Sequence, residues 1–85
     1  MLDLNQVEFS RLSPDEEAVF RWQYGYHEKW TFWWLFWETV KQADDFNMLR
    51  LEQGFPVEIQ GLRQYRTQEG WWQEVERKAV DRLLP

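Results

Sequence analysis

His27 and Glu28 stand side by side, and an imidazole next to a carboxylate is a first place to look for metal chemistry. A zinc site needs three or four ligands, mostly His and Cys. This chain has one His and no Cys. Asp44-Asp45 with Glu52 offers oxygens for a hard cation, but no loop of alternating oxygen ligands around a glycine accompanies them. Carboxylate pairs for acid–base work occur as neighbours, Asp44-Asp45 and Glu16-Glu17. Neighbours on a helix diverge by about 100°, so such pairs serve as caps rather than as a converging acid and base. Ser10 and Ser13 are the only serines, far in sequence from the single His, which leaves no nucleophilic triad. The residue types point away from catalysis and imply no metal and no cofactor.

Two aromatic constellations remain. Trp30, Trp33, Trp34 and Trp37 sit within eight residues and hold four of the seven tryptophans. Indole combines large apolar area, rigidity and one N–H donor, the properties of a binding hot spot. On a helical wheel the four share one arc. That arc can line the core, pair with a second copy, or dock on a foreign protein. The second constellation is Arg63, Tyr65, Arg66, Trp71 and Trp72. Rings that stack on a base, beside guanidiniums that pair with phosphate, are the means of gripping a nucleotide. The same residues also suit a helix–helix corner.

The elements that position these residues follow from punctuation. Ser13-Pro14-Asp15-Glu16 predicts a helix start: Ser13 caps, Pro14 takes the first turn and Glu16 closes a capping box. The helix runs to about Gln23 and breaks at Gly25. A second helix is expected over about 27–43. Its apolar arc, extended by Phe32, Leu35, Phe36, Val40 and Ala43, covers more than half the circumference, wider than the stripe of an ordinary surface helix. Asp44 or Asp45 caps a short helix of about 45–53, closed by Gly54, with Phe46, Met48 and Leu49 to bury. Pro56 opens a helix of about 56–66, which Gly61 weakens. Thr67 caps a last helix of about 69–83, with Trp72, Val75, Ala79 and Leu83 on one face. Residues 1–12, with apolar anchors Leu2, Leu4, Val7, Phe9 and Leu12, form an N-terminal arm, and residues 13–85 form a single helical domain.

Composition bounds the function classes. The net charge is −5, and residues 1–60 carry eleven acids against five bases. Nucleic-acid affinity rests on Lys and Arg neutralising phosphates, so this balance disfavours free DNA or RNA. An acidic front meets a basic protein surface more readily. No run reaches the ~18–20 apolar residues of a membrane span. The polar strip of the second helix is not basic, as an interfacial membrane helix requires. The start lacks the basic and long apolar stretches of a signal peptide.

The succession Phe32, Leu35, Trp37, Ala43-Asp44, Asn47, Leu51, Gly54-Phe55-Pro56, Val57, Tyr65-Arg66 and Gly70-Trp71-Trp72 resembles a group of small helical proteins encoded in tailed-phage and prophage genomes. The likeness covers about residues 30–75. It implies a phage-borne accessory protein at work in the host cytoplasm. The group has no assigned activity, so no catalytic residue carries over.

The expectation is therefore all-α: four to five short helices round a Trp-rich central helix at 27–43. A homo-oligomer, most simply a two-fold dimer, would cover the surplus apolar surface. The leading functional expectation is a non-enzymatic protein that binds, blocking a host protein such as a defence component. The alternatives are a nucleotide-signal sponge and a structural part of the virion or its assembly.

Overall fold

The Ser13 capping box forms in full: its hydroxyl accepts from the Glu16 N–H, while its own N–H donates to Glu16 Oε1 at 2.9 Å. Such a cap stabilises a helix by about 1 kcal/mol. It starts α1, Pro14–Gln23. Four further helices follow: α2, Phe32–Gln42; α3, Asp45–Gly54; α4, Pro56–Thr67; and α5, Trp71–Val80. A 3-10 turn, Phe9–Arg11, precedes them. These come from a computed structural model that describes residues 7–80; among them there is no strand, and the fold is all-α. The expected positions of Leu2, Leu4 and Leu83 lie outside the described residues.

Local chemistry sets most of the boundaries. Gly25 takes a φ of 67° after α1, which lets the Gly25 and Tyr26 N–H groups fold back on the carbonyls of Trp22 and Arg21. Asp44 caps α3 by accepting from the Asn47 N–H at 2.8 Å. Phe55 is shared between α3 and α4, and Pro56 opens α4 as expected. Thr67 does not cap α5. It ends α4 instead, its hydroxyl donating to the Arg63 carbonyl at 2.6 Å.

The second helix departs from expectation. It begins at Phe32, because Trp30 takes a φ of 73° and Thr31 is extended. Residues 28–31 form a turn, closed by the Thr31 N–H and hydroxyl, which both donate to the Glu28 carbonyl. Nor is α2 the hub. The most extensive helix–helix contact is α1 with α4, then α3 with α4. Gly61 explains this closeness: a Cβ there would meet the Asp15 carbonyl oxygen at 2.6 Å. The glycine expected to weaken α4 is the point where α1 crosses it.

Two hydrophobic clusters result. The first joins Phe36, Trp37 and Val40 of α2 to Met48, Ile59 and Leu62 of α3 and α4. The second joins Val7 and Leu12 to Phe20, Val75 and Ala79. The Glu8 N–H donates to the Ala79 carbonyl at 2.9 Å, fastening the lead-in to α5. Val7 and Leu12 of the expected arm are thus part of the core. A half-buried ion pair, Lys78 Nζ to Glu16 Oε2 at 2.7 Å, ties α5 to the start of α1.

Candidate functional site

The four tryptophans of residues 30–37 do not form one patch. Trp37 is 3% exposed and stacks on Trp22 of α1. It belongs to the core. Trp34 is half-buried and packs against Trp30, centroid to centroid 4.9 Å. Trp30 itself is 74% exposed. A bulky non-glycine residue at positive φ is a backbone outlier that costs on the order of 1–3 kcal/mol. The strain here holds an indole out in solvent.

Beside this pair, the first turn of α2 presents a second aromatic group. Phe32 is 61% exposed and meets Trp33 edge to face at 5.1 Å. Both rings approach Phe55, which in turn packs on buried Phe36 at 4.6 Å. Leu35 is exposed one turn on. Trp30, Phe32, Trp33 and Leu35 thus leave large apolar side chains in solvent around the start of α2.

On α3, Met48 is buried as expected, but Phe46 and Leu49 are not; Phe46 is 66% exposed, with the Arg50 guanidinium 5.4 Å from its ring. The signal was in the wheel. Phe46 and Leu49 share an arc with Arg50 and Gln53, whereas Met48, Leu51 and Phe55 fall opposite.

The second constellation is also divided. Tyr65, Arg66 and Trp72 line one cleft of about 560 Å³ beside Gly70. Arg63 turns away and grips Glu52 of α3 with two hydrogen bonds, at 3.0 and 3.3 Å. Trp71 packs into the second cluster. Tyr65 and Trp72 meet edge to face at 5.6 Å, as at a helix–helix corner.

Glu16, Glu17 and Asp44 are occupied structurally. Glu16 and Glu17 diverge, one to Lys78 and the Ser13 cap, the other to Arg21. Asp44 is a cap. Burial raises the Glu16 carboxyl, but its bonds from Lys78 and Ser13 outweigh this and hold it below the usual carboxylate range. His27 is not at a helix start. It is half-buried in the loop between α1 and α2, its ring 6.5 Å from Trp33. Burial first, and the Arg21 charge second, hold it below the ordinary imidazole range. Among the described residues no three metal-ligating side chains converge, and no helix is long and apolar enough to cross a membrane.

No family model matches the chain, and comparison with curated proteins and with solved structures gives no match.

Proposed function

We propose that this chain works by binding a partner protein through the first turn of α2, with Trp30, Phe32 and Trp33 as anchors, and that it is not an enzyme. The observation that carries this is Trp30, a strained residue that displays its indole to solvent beside two further exposed rings. A backbone outlier at an exposed aromatic costs stability and gains nothing in the core. Trp and its neighbours supply binding energy when water is excluded from them. The resemblance to phage-encoded proteins suggests the partner: a host protein in the cytoplasm, whose blockage serves the phage.

The test is capture from bacterial lysate by the intact chain and by a Trp30→Gly/Phe32→Ser variant. The expected result is a stoichiometric protein that the variant loses and that an Arg66→Ala control keeps. Capture of the same proteins by all three chains, or of none, overturns the reading. Self-association is decided by light scattering at tens of micromolar. A mass near 10.6 kDa leaves the face free for a foreign partner. Twice that mass, abolished by the variant, assigns the face to a second copy. The nucleotide reading has less support, because Arg63 and Trp71 stand apart from the Tyr65–Trp72 cleft.

A further inference from the structure

We propose that the cleft between α1, the α1–α2 loop and the first turn of α4 is a binding site for an organic monocation with an apolar body, an amine or a guanidinium. The cleft encloses about 470 Å³, within the ~300–1,000 Å³ range of small-ligand sites. Its apolar lining includes Ala18, Trp33, Trp37 and Val57.

Four polar side chains also line it: Glu17, Arg21, His27 and Glu58. Three of them leave no net charge. Arg21 Nε donates to Glu17 at 2.9 Å, and its guanidinium lies over Phe9 at 4.2 Å and Tyr26 at 5.2 Å. His27 stays neutral at pH 7, for the reasons given above. Glu58 is different. It is half-buried and makes no hydrogen bond or ion pair among the described residues. One uncompensated carboxylate thus shares the cleft with the indoles of Trp33 and Trp37. An ammonium or guanidinium satisfies both, by charge-assisted hydrogen bonding to Glu58 and by cation–π attraction to Trp33. An anion would face Glu58 with the only guanidinium already engaged.

Glu58 also lies in the first turn of α4, where an acid complements the helix dipole. That role predicts a small change in stability and no ligand affinity, so the two are separable. The occupant is either a free aryl- or alkylamine or a basic side chain of a partner protein; the recognising chemistry is the same.

His27 is the only histidine, so its Cε1 proton gives a single assignable NMR signal at the cleft. The full chain is titrated with 2-phenylethylammonium, with Nα-acetyl-arginine amide, and with 2-phenylethanol and 3-phenylpropionate as neutral and anionic controls. At least one cation is expected to shift the His27 signal saturably, and the anion to leave it unmoved. Glu58→Gln weakens the cation by about 5–10-fold and leaves the alcohol unchanged. Trp33→Leu, a second variant, also weakens it. Trp33 borders both this cleft and the protein-binding face, whereas Trp30 does not line the cleft, so Trp30→Gly binds the cation like the parent while losing the partner protein. Preference for the arginine derivative identifies a basic side chain as occupant; preference for the arylamine identifies a free amine. No saturable shift with either cation, equal response to cation and alcohol, or an unchanged affinity in Glu58→Gln would overturn the assignment.

Discussion

Trp22 and Trp37 stack face to face, 4.6 Å between ring centroids and 7° from parallel. This pair fastens α2 to α1, and Tyr65 of α4 closes it edge-on at 6.0 Å from Trp22. Trp37→Ala removes a buried indole and is expected to cost about 3–5 kcal/mol, read as the shift in a urea unfolding curve. Trp22→Phe keeps an apolar ring and costs less, but it abolishes the coupled-indole circular dichroism of the stacked pair. The Trp30–Trp34 pair contributes its own share, so the spectra are compared in the Trp30→Gly background, where retention of the signal in Trp22→Phe would place the stack elsewhere.

Trp30→Gly removes a positive-φ side chain from the chain's strained turn. Thermal unfolding should show stability unchanged or raised by up to about 1 kcal/mol. A loss of more than this would mean that Trp30 serves the fold rather than recognition.

Gly61 and Gly54 make opposite predictions for the same substitution. A Cβ on Gly61 meets Asp15 O at 2.6 Å and Val19 Cγ2 at 2.9 Å, and a backbone carbonyl cannot swing aside. Gly61→Ala is expected to destabilise by about 1–3 kcal/mol despite its better helix propensity. Gly54 has nothing within 4 Å, so Gly54→Ala is expected to stabilise by roughly 0.5 kcal/mol. Chemical denaturation of both variants checks the pair.

Acid should loosen α5 from α1. The folded-state pKa of Glu16 lies below its ordinary value of 4.5, so its contribution is complete above that pH and is lost as pH falls through the folded pKa. Glu16→Gln should lower stability at pH 7 by about 1–3 kcal/mol and flatten this part of the acid limb. Unfolding curves from pH 7 to pH 3 for both proteins test it.

Alkali acts on a different contact. The Tyr24 hydroxyl donates to Glu76 at 2.6 Å; burial first, then that carboxylate, push its pKa up to about 12. The folded state keeps this proton longer than the unfolded chain. Stability from this group is therefore whole below pH 10 and declines as pH rises towards 12. Tyr24→Phe should remove that slope, seen in unfolding curves across the same range.

Much of the fold was legible in punctuation. Ser13-Pro14, Asp44 and Phe55-Pro56 each act through the backbone of their own few residues, so helix ends follow from local chemistry. The start of α2 was not legible. A bulky side chain disfavours positive φ, and nothing in the residue type of Trp30 announces the turn that Thr31 closes on the Glu28 carbonyl. The wide apolar arc of α2 invited a central position, yet it covers both the core contacts of Phe36 and Trp37 and the exposed rings of Phe32 and Trp33. Burial partners are non-local, and the tight α1–α4 crossing at Gly61 has no local signature beyond the glycine itself. The cleft at Glu58 draws on four separate segments, so no spacing in the sequence announces it.

The clasp between Glu8 and Ala79 has a bearing on biosynthesis. Phe36, Met48 and Ile59 come from adjacent helices and can condense while translation continues. Val7, Phe20 and Val75 cannot meet until α5 has cleared the ribosome. A nascent chain arrested before that moment carries one finished nucleus and one gaping seam, in which Phe20 has Phe9 and Tyr24 beside it but lacks the cover of α5.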